Sequence, residues 1–99
     1  MNNNNLKIKE TFASAIQNHQ KNNFKIAESL YKEILKTNPN HFESIFHLGS
    51  LSAQTKNFDK AKQLLQKTIA IQPNHVTAHN NLGIVFEELG QSQKAMSYF

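Results

Sequence analysis

The chain has 99 residues, a net charge of +4, no cysteine and no apolar run near the ~20 residues that a membrane span needs. One small domain is the most it can build, and disulfides and cysteine-based metal or redox sites are excluded. All eleven basic residues are lysine. They are dispersed among acids such as Glu28, Glu33 and Asp59, which argues against a nucleic-acid reader built on arginine's planar fork.

The opening MNNNNLKIKE has no apolar signal core, so residues 1–5 read as a disordered polar tail and the expected compartment is cytoplasmic. From Ile8 onward the chain repeats itself every 34 residues, in units 8–41, 42–75 and 76–99, the third stopping early. The eighth place of each unit holds Ala15, Gly49 and Gly83, and the twentieth holds Ala27, Ala61 and Ala95. The twenty-fourth holds Tyr31, Leu65 and Phe99, and the thirty-second Pro39 and Pro73. A period of this size is the mark of a helical solenoid, in which each unit covers the bare apolar side of its neighbour.

Each unit reads as two helices. In the first, Ile8 opens a helix that is small and polar at Ser14, Ala15 and Asn18, as suits the outer end of a stack. Asn23 then starts a second helix whose apolar stripe is Phe24, Ala27, Leu30, Tyr31, Ile34 and Leu35, with Glu28 and Lys32 as an i,i+4 pair outside. Pro39 stops it. In the second unit Asn40 is the expected N-cap, with Glu43 as its capping-box partner, ahead of Phe42, Ile45, Phe46, Leu48 and Leu51. "TKN" breaks the pattern, Asn57 caps the next helix, and Phe58, Ala61, Leu64, Leu65, Thr68 and Ile69 form its stripe up to Pro73. Small residues at places eight and twenty imply that the two helices of a hairpin cross closely there. The expected fold is all-α: a right-handed superhelical solenoid of antiparallel helix hairpins over residues 6–99.

These residues resemble the tetratricopeptide repeat, W-x₂-L-G-x₂-Y followed by A-x₃-F and P. The second unit supplies Ile45, Leu48, Gly49, Ser52, Ala61, Leu65 and Pro73; the third supplies His79, Leu82, Gly83, Phe86, Ala95 and Phe99. The first is weaker, with Thr11, Ser14, Ala15 and Asn18 before Ala27, Tyr31 and Pro39. The resemblance implies a protein-binding or scaffold module whose first helices line a concave groove. Carried over by it, the groove positions are Lys9, Phe12, Ala13, Ile16, His19 and Gln20; then Glu43, Phe46, His47, Ser50, Ala53 and Gln54; then Thr77, Asn80, Asn81, Ile84, Glu87 and Glu88. The places that hold a terminal carboxylate in chaperone-binding relatives are Phe12, Ile16, His47, Thr77 and Asn81, which do not form such a clamp. The third unit is similar to repeats of O-linked N-acetylglucosamine transferases and related bacterial fusions, in which an asparagine at the place of Asn81 bonds a target's backbone.

Other chemistry finds little support. His75 and His79 stand i,i+4, but a stable metal site needs three or four ligands. The three glycines form no phosphate loop. Glu87 and Glu88 point about 100° apart on a helix, and no nucleophile signature is present. No catalytic residue, cofactor, metal, nucleic-acid or membrane partner is therefore expected; a protein or peptide partner is. The alternatives are the targeting arm of a larger glycosyltransferase or sulfotransferase, and a self-assembling scaffold. The chain reads as the N-terminal piece of a longer protein. Its last unit is expected to leave apolar residues uncovered and to favour a homodimer through residues 82–99, the alternative being disorder beyond about Gly90.

Overall fold

The apolar stripes become helices where the spacing predicts them. The computed structural model describes residues 3–90, with α1 (Asn3–Gln20), α2 (Phe24–Thr37), α3 (Phe42–Gln54), α4 (Phe58–Ile71) and α5 (Val76–Glu88). Among the described residues there is no strand. α1 with α2, and α3 with α4, form hairpins closed by three-residue turns, and α5 opens the next unit. α1 begins at Asn3, so part of the segment read as a polar tail is helical. Once a helix is nucleated on residues such as Phe12, extending it by a turn costs little.

Proline punctuates as expected. α2 ends at Thr37 before Pro39, and α4 at Ile71 before Pro73. The capping differs from the expectation. His41, not Asn40, is the N-cap of α3: its Nδ1 accepts from the Ser44 backbone N–H at 3.3 Å and from Ser44 Oγ at 2.8 Å. His75 repeats this one unit later, accepting from the Ala78 N–H at 3.0 Å. The Nδ1 of histidine lies as many bonds from Cα as the Oδ1 of asparagine, so a neutral ring can serve as the cap. Glu43 does not close a capping box; it stands 3.7 Å from His41 Nε2. Asn23 and Asn57 hold the N-cap positions of α2 and α4 without a side-chain cap bond.

The hairpin turns share a backbone device. Asn22 (φ 64°), Lys56 (φ 65°) and Gly90 (φ 74°) lie in the left-handed region at the same place of successive units. The Asn23 N–H reaches back to Asn18 O at 2.8 Å, and Asn57 N–H to Ser52 O at 2.7 Å, which closes the helix end in a Schellman arrangement. Lysine suits this conformation least of the three. Lys56→Gly is therefore expected to stabilise the fold by about 0.5–1 kcal/mol in urea denaturation. An unchanged or lowered midpoint would show that Lys56 bears no strain.

Two apolar clusters form the core. One gathers Ala15, Ala27, Tyr31, Leu48 and Leu51; the other Ala61, Leu65, Ala78, Leu82, Val85 and Phe86. Gly49 sits where α3 packs tightly on α4. A Cβ there would lie 3.2 Å from Leu64 Cβ and 3.2 Å from Leu65 Cγ and Cδ2. The nearest neighbours of the small residue at place eight are thus places twenty-three and twenty-four of the partner helix, one turn after the buried Ala61 at place twenty. Buried hydroxyls bond within their own helices: Ser52 Oγ donates to Leu48 O at 2.8 Å and Thr68 Oγ1 to Leu64 O at 2.9 Å. Among the described residues no buried side-chain polar atom lacks a partner.

The face that α3 turns to the preceding hairpin is apolar and buried at Leu48 and Leu51, as is that of α5 at Leu82 and Val85. The matching places of α1 hold Ser14 and Gln17, both exposed. At the other end, Leu82, Val85 and Phe86 are already buried within the chain and offer no naked face. Leu89, expected in the same apolar end, is partly buried against this cluster, and Ala95, Met96 and Phe99 lie outside the described residues. On the outer surface Glu28 pairs with Lys32 at 3.8 Å, as the i,i+4 spacing predicts, and more closely with Lys60 of the next unit at 3.2 Å.

Candidate functional site: the face of the first helices

α1, α3 and α5 stand side by side because each opens its unit, with α2 and α4 behind them. Side chains 31 and 35 residues apart in sequence bond across this face. His19 Nε2 meets Gln54 Oε1, joining α1 to α3. Asn81 Nδ2 donates to Ser50 Oγ at 3.2 Å, joining α5 to α3. Gln54 Oε1 can only accept, so His19 carries its proton on Nε2 and its Nδ1 accepts from the Tyr31 hydroxyl at 2.9 Å. Burial pushes the Tyr31 hydroxyl up to about 12, so it remains a donor.

Three open depressions follow the face. Ser50, Ala53, Gln54, Asn81 and Ile84 line one of about 320 Å³. Ile16, His19, Gln20, Asn22, His47 and Gln54 line a neighbour of about 300 Å³, with Gln54 on the rim of both. Lys9, Phe12, His41 and Glu43 lie in a third, beside the exposed Leu6, at the α1 end. The structure thus brings together most of the positions carried over by resemblance. Ala13, Thr77, Asn80, Glu87 and Glu88 are exposed and line none of the three.

Two predicted positions are occupied chiefly by packing. Phe46 is half-buried, with its ring 4.5 Å from that of His75. His47 stacks on Tyr31 at 6.1 Å and 11° and meets the rings of Phe12, Phe46 and His19 at 5.6, 5.0 and 6.3 Å. Burial, helped by the nearby His19 and His75, lowers its pKa from 6.5 to about 4, so His47 is neutral near pH 7. Asn81 bonds Ser50 through one amide hydrogen, leaving its carbonyl and second N–H available. Sequence reasoning missed the Tyr31–His19–Gln54 chain. The only available signal was that places twelve and thirteen of adjacent units both carry hydrogen-bonding side chains. Among the described residues no group of three or more His, Asp or Glu side chains could hold a metal ion, and no helix is long and apolar enough to cross a membrane.

Two stacked helix hairpins followed by the first helix of a third, with the first helices on one shared face, define an all-α repeat solenoid. The tetratricopeptide repeat profile matches residues 19–82, and a second profile of that repeat matches residues 76–99. The chain belongs to the tetratricopeptide repeat family. Among solved structures, a mutant O-GlcNAc transferase of Thermobaculum terrenum resembles it with a TM-score of 0.93 at 23% identity, over 99% of this chain and 19% of that one. MamA resembles it with a TM-score of 0.88 at 22% identity, over 93% of this chain and 54% of that one. A MamA structure from AMB-1 gives 0.85 and 22%, over 93% and 50%. At these identities the likeness is one of fold. The chain spans about a fifth of the transferase's length and about half of MamA's. No curated protein matches it by sequence.

Proposed function

We propose that this module of the protein-interaction class holds an extended peptide segment of a partner along the face of α1, α3 and α5. The observation that carries this reading is the pair of adjoining depressions that share Gln54, one floored by the half-exposed Ile84 and edged by the Asn81 amide. An amide offers a donor and an acceptor together, which matches a peptide group whatever its side chain. The test is amide shift mapping of labelled protein with extended peptides. Shifts are expected at Ile16, Ser50, Gln54, Asn81 and Ile84. Asn81→Ala should weaken binding roughly three- to tenfold, the worth of one neutral hydrogen bond, with helicity unchanged. Shifts centred on Lys32, Lys36 and Lys67 would overturn the reading.

A second reading makes the module the targeting arm of a larger transferase. The position of Asn81 and the fold likeness to the O-GlcNAc transferase favour it. A coding sequence that continues past residue 99 into a transferase domain would support this reading; a continuation without one would end it.

A further inference from the structure

Charge is divided between the two sides of the solenoid. The groove-side helices carry Lys7 and Lys9 against Glu10, Glu43, Glu87 and Glu88. The outer helices α2 and α4, with the hairpin turns, carry eight lysines against three carboxylates. In a chain that is basic overall, the helices that open each unit are therefore net acidic, most sharply so α5.

On α5 this charge stands beside an apolar seat. Ile84 is 50% exposed and shares its depression with Ala53, while Glu87 and Glu88 follow three and four residues later. That spacing places both carboxylates about one helical turn, ~5.4 Å, beyond Ile84 on the same side of the helix. Both are exposed, and no lysine among the described residues pairs with either. In an extended peptide, side chains two residues apart share a face and are separated by about 6.6 Å, close to one helical turn.

Building on the groove reading above, we propose that the groove selects an extended partner segment with an aliphatic residue and a lysine or arginine two places apart. The aliphatic side chain sits on Ile84 and Ala53. The cation reaches Glu87 and Glu88. The Gln54 amide takes the intervening backbone, and the Asn81 amide, one turn before Ile84, takes the backbone on the other side of the aliphatic residue. Nucleic acid is disfavoured on this face, because the carboxylates repel phosphate.

Three synthetic 12-residue peptides on one Ser/Thr framework test the proposal, with a central Leu-Ser-Arg, Leu-Ser-Glu or Ser-Ser-Arg, read by fluorescence anisotropy and amide shift mapping. The Leu-Ser-Arg peptide is expected to bind about tenfold more tightly than either of the others at low salt. Its advantage over Leu-Ser-Glu should shrink at 0.5 M salt, as screening requires. Glu87→Gln with Glu88→Gln should abolish the preference for Arg over Glu while the Leu peptides still bind. Ile84→Ser should abolish the preference for Leu over Ser. All three side chains are exposed, and circular dichroism checks that the variants fold. Equal binding of the Arg and Glu peptides, with shifts still on α1, α3 and α5, would overturn this proposal and leave the groove reading standing. Shifts on α2 and α4, or no binding by any of the three peptides, would overturn both.

Discussion

Gly49→Leu is expected to lower the melting temperature by about 15 °C, the consequence of about 3 kcal/mol of overpacking in a domain of this size. Gly49 is buried, and even a first side-chain carbon would stand 3.2 Å from Leu64 Cβ and from Leu65. Leu65 is itself fully buried, as is Ala61 one turn before it, so a larger side chain has no solvent to turn into. The hairpin would have to open, and the stripe that α4 shares with α5 would open with it. Gly49→Ala separates this steric account from one based on flexibility. Alanine gains about 1 kcal/mol of helix propensity over glycine, which the tight contact offsets, so this variant should stay within about 1 kcal/mol of the parent. A Gly49→Leu protein that melts within a degree or two of the parent would mean that α3 and α4 do not cross at Gly49.

The fold was legible because period and punctuation reinforce each other. Pro39 and Pro73 stop helices wherever they occur outside a first turn, and the 34-residue step repeats each stripe in register. One unit therefore confirms the reading of another. What sequence reasoning missed depends on geometry that no local pattern encodes. Asparagine's high rank as an N-cap favoured Asn40, yet the turn after Pro39 puts residue 41 over the first exposed N–H groups, and a histidine takes the cap. Places eight and twenty are both small, but only the crossing itself shows that Gly49 meets Leu64 and Leu65. Lysine gives no sign of the left-handed turn that Lys56 makes; its neighbours in the repeat, Asn22 and Gly90, are the residues that do.

The candidate site was legible as a set of helical places and illegible as chemistry. Places two, five, six, nine, twelve and thirteen are what the resemblance to the repeat family implies. Whether a side chain there is offered to a ligand or absorbed by packing depends on the adjacent unit. Ser50, Gln54, Asn81 and Ile84 remain at the rim and floor of one depression. His47 occupies the same place of its unit as Asn81, but Phe12, Tyr31 and Phe46 close around it.

That enclosure carries the largest expected pH effect. Lowering the pH from 7.5 to 4.5 is expected to cost the fold about 2 kcal/mol through His47, after allowance for the part of the ring that water still reaches. The folded-state pKa of about 4 lies below the unfolded value of 6.5, so between these values the unfolded chain binds a proton that the folded chain excludes. The contribution is complete above about pH 6.5, falls away as the pH drops toward 4, and levels off below it. Desolvation leads, because the ring is stacked on Tyr31 and edged by Phe12 and Phe46; the His19 and His75 rings add repulsion. His47→Phe keeps the aromatic packing and removes the proton site. Urea midpoints measured from pH 7.5 to 4.5 should fall further for the parent than for His47→Phe, and the difference between the two curves isolates this residue. If the two proteins lose stability in parallel across that range, His47 titrates as it does in the unfolded chain, and the closed aromatic cluster around it is wrong.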